Sequence, residues 1–101
     1  MRVLGTGLVT KYKKNHASDA GCLAARINYL SRKDFNPKSD QDFVNVFGTV
    51  IFDRVGKYVV INACGNNVRI IATVTYLTDP STLRIKEVLP HHKYDKNKWN
   101  K

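Results

Sequence analysis

The segment Pro90-His91-His92-Lys93-Tyr94-Asp95 brings imidazole, ammonium, phenol and carboxylate groups into one short stretch. Imidazole, with an ordinary pKa near about 6.5, can both take and give a proton at neutrality. The combination suits phosphodiester chemistry, which needs a base, an acid and positive charge on the developing oxyanion. His91 can be base or acid, or can be a plain structural histidine. His92 points elsewhere if the backbone stays extended, and ranks behind His91. Tyr94 can stack on an unpaired base or orient a phosphate, although a core tyrosine is the commoner outcome. Asp95 can set the tautomer of His91 or cap a turn. Residues 93–101 carry four lysines against one aspartate; Lys93 can add phosphate affinity, and Lys96, Lys98 and Lys101, with Trp99, form either an RNA-contacting arm or a frayed end.

Cations to face that segment come from the hairpin before it. Two β-branched and apolar runs, 68–77 and 82–89, flank the turn-forming Thr78-Asp79-Pro80-Ser81. Strand side chains alternate, so the pairing that separates polar from apolar residues is favoured, and Tyr76 opposite Leu83 achieves it. Ile70, Val74, Tyr76, Leu83, Ile85 and Leu89 then share one side, and Arg69, Thr73, Thr75, Arg84 and Lys86 the other. Arg69 and Lys86 are placed to hold a phosphate and stabilise its transition state, with Arg84 adding affinity. The plain alternative is a solvated sheet face, yet like charges clustered across strands are unfavourable without an anion to offset them.

The remaining elements must carry this hairpin. Thr6 is positioned to cap a helix from about Gly7 to Lys14, in which Leu8 and Tyr12 share a face. Ser18 or Asp19 can cap a second helix over 19–32, where Ala20, Leu23, Ile27 and Leu30 recur at helical spacing. His16, between them, reads as a loop or capping residue. Asn36-Pro37 breaks the helical pattern, and Ser39 caps a short helix over 40–46 with Phe43, Val46 and Phe47 inward and Gly48 at its end. Strands follow at 49–53 and 57–62, joined at Arg54-Val55-Gly56, and a second turn at 63–67 leads into the hairpin. With Met1-Arg2-Val3-Leu4 as a short first strand, this predicts an α+β domain spanning 1–101, its helices on one face of a largely antiparallel sheet of four or five strands.

Seventeen lysines and arginines against eight acidic residues give a net charge of +9, which draws the chain to polyanions without choosing among RNA, DNA and an acidic protein. A hydrophobic content of 43% with only three prolines indicates a folded domain. No apolar run approaches the roughly 20 residues of a spanning helix, and no signal-peptide core follows Met1, so a cytoplasmic protein with no membrane partner is expected. Cys22 and Cys64 lack metal-ligand spacing and read as two reduced, partly buried thiols. A zinc site from Cys22, Cys64, His16 and a C-terminal histidine has no support, and no P-loop, zinc signature or Ser-His-Asp arrangement is present. No cofactor is expected.

Four stretches in order, Val60-Ile61-Asn62-Ala63-Cys64-Gly65-Asn66, Val68-Arg69-Ile70-Ile71, Ile85-Lys86-Glu87-Val88 and His91-His92-Lys93-Tyr94-Asp95, resemble the successive signatures of the HigB toxin family in the RelE/ParE-like group. The resemblance covers 49–96, and the N-terminal helices by order and length. Ile61, Cys64, Lys86, Pro90 and Lys93 depart from the family pattern. Lys86 keeps a cation without the planar fork of arginine, and Lys93 replaces a carboxylate. The resemblance implies a RelE-like fold and a type II toxin. Such a toxin is a metal-independent endoribonuclease that cuts mRNA, usually in the ribosomal A site, and is silenced by an antitoxin, typically a helix-turn-helix protein. The alternative is a non-catalytic nucleic-acid or ribosome-binding module. A third reading, a protein-directed inhibitor like the gyrase-poisoning relatives, has no need of a histidine beside clustered cations.

Overall fold

The computed structural model describes residues 1–91. The chain runs β1 (Arg2–Leu4), α1 (Gly7–Asn15), a 3₁₀ turn (Ala17–Asp19), α2 (Ala20–Leu30), α3 (Asp40–Phe47), β2 (Phe52–Val55), β3 (Tyr58–Ala63), β4 (Val68–Thr75) and β5 (Thr82–Pro90). The strands form one sheet in the order β1-β5-β4-β3-β2, with β1 parallel to β5 and every other pair antiparallel. This is the α+β architecture expected, with three α-helices and a mixed, mostly antiparallel sheet among the described residues.

Alternation along the strands supplies the core. Val59, Ile61, Val68, Ile70, Ala72, Leu83 and Ile85 turn to the helix side and meet Leu23 and Leu30 of α2 and Phe43 of α3. Phe43 stacks on Phe52 at 4.5 Å between ring centres and meets Phe35 edge-on at 5.4 Å. Burying a side chain of this size is worth roughly 1.5–3 kcal/mol, which is what holds so short a helix on the sheet. Ser39 caps α3 as expected, its Oγ accepting from Asp42 N–H at 3.2 Å, and Gly48 ends it at φ 82°. The α-ammonium of Met1 donates to the carbonyls of Leu30, Arg32 and Phe35, filling acceptors that the end of α2 leaves open.

Local expectations differ from the structure at several places. Thr6 stands at the α1 N-cap without a side-chain capping bond, and so does Asp19 before α2, its carboxylate engaged by Tyr12 instead. Val46, expected inward, is 47% exposed, because Phe43 and Phe47 already fill that face of α3. β2 begins at Phe52, not residue 49, and runs through Arg54 and Val55, so Gly56-Lys57 make the turn.

The β4–β5 register also differs: Leu83 pairs with Val74, not Tyr76, and Thr82 pairs with Thr75. An even shift preserves facing, so Arg69, Thr73, Thr75 and Arg84 keep their common outer side. A β-bulge then leaves Lys86 unpaired, with Ile85 opposite Ala72 and Glu87 opposite Ile71. Past the bulge the alternation inverts. Val88 enters the main core, and Leu89 packs outward against Val55, Val60 and Ile71, the reverse of its expected side. Two successive polar residues, Lys86-Glu87, were the sequence signal for that interruption.

Cys22 and Cys64 form a disulfide with Cα atoms 5.3 Å apart, which overturns the expectation of two thiols. They are 42 residues apart, and their meeting depends on how the start of α2 lies against the β3–β4 turn. Bonded sulfurs offer no thiolate, so the conceivable zinc set with His16 falls too.

Candidate functional site

The turn between β3 and β4 organises one end of the sheet. Cys64, Gly65 and Asn66 all have positive φ, at 56°, 58° and 77°. Glycine adopts this region freely and asparagine tolerates it, whereas Cys64 is held there by its bond to Cys22. In that shape the turn offers its carbonyls to two neighbours. Asn66 O accepts from Arg69 Nη1 at 2.7 Å, and Asn67 O accepts from the His91 backbone N–H at 2.8 Å. The turn therefore ties Arg69, on the outer sheet face between Asn62 and Leu89, to the end of β5 from which His91 emerges.

His91 opens onto a cavity of about 420 Å³ whose lining includes Tyr12, His16, Asp19, Asn67 and Pro90. The α1 C-terminus and the 3₁₀ turn supply its other wall. His16 stacks on the Tyr12 ring, with centroids 3.9 Å apart and planes 8° from parallel. Its Nδ1 lies 3.1 Å from the Tyr12 carbonyl oxygen. A carbonyl can only accept, so Nδ1 carries the proton and Nε2 of the neutral ring keeps a lone pair. Tyr12 donates its hydroxyl to Asp19 Oδ2 at 3.4 Å. Burial first, and the Asp19 carboxylate second, push the Tyr12 phenol above its ordinary pKa, so it stays protonated at neutrality. Chemically, the cavity holds two imidazoles, one with a defined tautomer, beside a phenol and a carboxylate.

The expected site residues are distributed unevenly. Arg69 and His91 come to the same end of the hairpin. Lys86 is exposed at the bulge, and Arg84 is exposed on the outer face opposite Thr73; neither they nor Arg69 line the His91 cavity. His92, Lys93, Tyr94, Asp95, Lys96 and Lys98 lie outside the described residues. His16 is the capping residue between α1 and the 3₁₀ turn that the sequence reading expected, and it also lines the cavity onto which His91 opens. No spacing rule links it to His91, because α1 and β5 are brought together by packing of the fold.

Residues 23–97 match the HigB_toxin family model, described as the RelE-like toxic component of a toxin-antitoxin system. The match takes in α3, β2 through β5 and all of α2 but its first turn. No curated protein matches the chain.

Proposed function

The chain belongs to the HigB family of RelE-like toxins, the toxic component of a toxin-antitoxin system, and we propose that it arrests translation by cutting mRNA without a cofactor. The observation that carries this reading is the pair of imidazoles, His16 and His91, lining one cavity, with Arg69 held by Asn66 O at the same end of the sheet. In the step envisaged, His16 Nε2 takes the 2′-OH proton as the 2′-oxygen bonds to phosphorus. The bond from phosphorus to the 5′-oxygen breaks, and His91 delivers a proton to that leaving oxygen. The products are a 2′,3′-cyclic phosphate and a free 5′-OH. Arg69 offsets charge on the phosphoryl oxygens as it develops.

Lys86 and Arg84 draw the RNA backbone to the outer face. In the C-terminal segment, Tyr94 orients the phosphate, Asp95 orients His91, and His92, Lys93, Lys96 and Lys98 hold the strand. Cleavage takes place on mRNA at the ribosome, in the cytoplasm. Among the described residues no helix is long and apolar enough to cross a membrane. The family implies an antitoxin partner, which we take to be a helix-turn-helix protein.

Primer extension on translated mRNA, from cells expressing wild type, His16→Ala or His91→Ala, tests this. New 5′ ends are expected with wild type and not with either variant. Intact transcripts under wild-type growth arrest would overturn it. Repeating the assay on purified RNA with and without ribosomes decides whether translation is required.

A further inference from the structure

The Cys22–Cys64 bridge joins the two walls of the His91 cavity. On one wall, Asp19 N–H donates to the His16 carbonyl oxygen at 3.0 Å, and the Asp19 carbonyl oxygen lies 3.2 Å from Cys22 Sγ and 3.5 Å from Cys64 Sγ. On the other, the Cys64 carbonyl accepts from Asn67 N–H at 3.1 Å, and the Asn67 carbonyl accepts from His91 N–H at 2.8 Å. Asp19 and Asn67 both line the cavity. The two imidazole-bearing residues, remote in sequence, are thus connected by a run of short contacts with the disulfide at its centre.

The bridge is open to exchange. Cys22 is exposed in the first turn of α2, and Cys64 is half-buried. A toxin that cuts translated mRNA works where thiols are kept reduced, and the disulfides found there are mostly transient and redox-sensing. Cys22 lies outside the family match, which begins at residue 23, so family membership does not account for the bridge. The core around Phe43, Ile61, Ile70 and Leu83 is fully buried among apolar neighbours, which gives the fold a source of stability apart from the bond. Reduction also leaves the sulfurs satisfied: as thiols, both can donate to the Asp19 carbonyl that they already face. What reduction removes is the constraint that holds Cys64 at φ 56°, a region that residues other than glycine seldom adopt.

We propose that Cys22–Cys64 is a thiol–disulfide exchange site that switches the cavity: bridged, it holds the His16 and His91 walls together, and reduced by a dithiol protein of the thioredoxin type, it releases the β3–β4 turn and cleavage falls. The loss of cleavage rests on the nuclease reading; the coupling of the bridge to the two walls does not. In the exchange, a reductant thiolate attacks the exposed Cys22 sulfur, the S–S bond breaks, and Cys64 leaves as a thiolate that takes a proton from water. The reductant's second thiolate then attacks the reductant sulfur of the mixed disulfide and expels Cys22, whose thiolate is favoured in the first turn of a helix and is protonated in turn. The reductant gives two electrons and ends as a disulfide.

The full-length chain, oxidised with glutathione disulfide and then treated with reduced thioredoxin, is followed by amide NMR and by the RNA cleavage assay. On reduction the Asp19, Asn67 and His91 amides should shift while those of β2 stay in place. Cleavage should fall by about 10²-fold, the scale set by small misplacements of reacting groups, and return on reoxidation. Cys22→Ser and Cys64→Ser should each match reduced wild type under both conditions. A bond that thioredoxin leaves intact, amide shifts that do not reach Asn67 and His91, or cleavage that is equal or higher after reduction would overturn the proposal. So would collapse of the whole dispersed spectrum, which would mark a structural staple. Absence of cleavage in both states, with the amide response present, would refute the nuclease reading alone.

Discussion

His16 and His91 are assigned opposite halves of one proton transfer, and that division has a pH signature. The base must be unprotonated and the acid protonated, so the cleavage rate should rise and then fall with pH. His16→Ala should flatten the acidic limb and His91→Ala the alkaline limb, each at a cost of about 10²–10⁴ in rate. Identical bell-shaped profiles in both variants would show that the imidazoles do not act in this way. A second single-residue prediction concerns stability. Gly5, between β1 and α1, has φ +83°, and a Cβ there would sit 2.6 Å from the Ile85 carbonyl oxygen. Gly5→Ala should cost at least about 1–2 kcal/mol for the left-handed backbone alone, seen as a lower urea midpoint. His16 was legible in the sequence as the capping residue between two helical segments; that it borders the same cavity as His91 was not, since nothing local links the two stretches.

Two attachments hold the helices in place, and each makes a prediction at the level of the element. The first fixes α3. Asp40, in its first turn, accepts from Arg54 Nε and Nη2 at 2.9 and 2.8 Å and from the Tyr76 hydroxyl at 2.5 Å. Hydrogen bonds from Arg54 chiefly, and then from Tyr76, hold the Asp40 carboxyl below its ordinary range against the opposing effect of burial. A depressed carboxylate stabilises the fold above its unfolded pKa, about 3.9, and that contribution is lost as pH falls through the lower folded value. Burial, and then Asp40, push the Tyr76 phenol up, so the fold loses stability as pH rises beyond about 10, where the unfolded phenol ionises first. Urea midpoints measured against pH should therefore fall less steeply below about pH 4 in Asp40→Asn than in wild type.

The second attachment is the Cys22–Cys64 disulfide between α2 and the site turn. Closing 42 residues should contribute about 3–4 kcal/mol through lost chain entropy in the unfolded state. Dithiothreitol should lower the urea midpoint of wild type and leave Cys64→Ser unchanged. Because the same turn carries Arg69 and His91, reduction should lower cleavage as well. An unaltered midpoint on reduction would show that the bridge contributes nothing to the fold.

For the molecule as a whole, a charge of +9 makes RNA affinity a steep function of salt. On single strands each neutralised phosphate adds about −0.7 to the slope of log K against log salt. Arg69→Ala should reduce that slope by about one such increment, and His91→Ala should leave it unchanged. An unchanged slope in Arg69→Ala would remove Arg69 from the phosphate path.

Sequence alone determined the features that depend on periodicity and local chemistry. Helical spacing placed α1 to α3, β-branched runs placed the strands, Ser39 and Gly48 bounded α3, and ordered short motifs pointed to the toxin family that the family match shows. These are legible because burial on one face imposes a period, and caps and turns are satisfied within a few residues. Tertiary structure alone decided the two-residue register shift, the bulge that turns Leu89 outward, the disulfide, and the shared cavity that His16 and His91 line. Alternation cannot detect an even slip in pairing. Contacts between residues far apart in the chain depend on how whole elements pack, a choice made by the summed burial of the core and written in no single stretch.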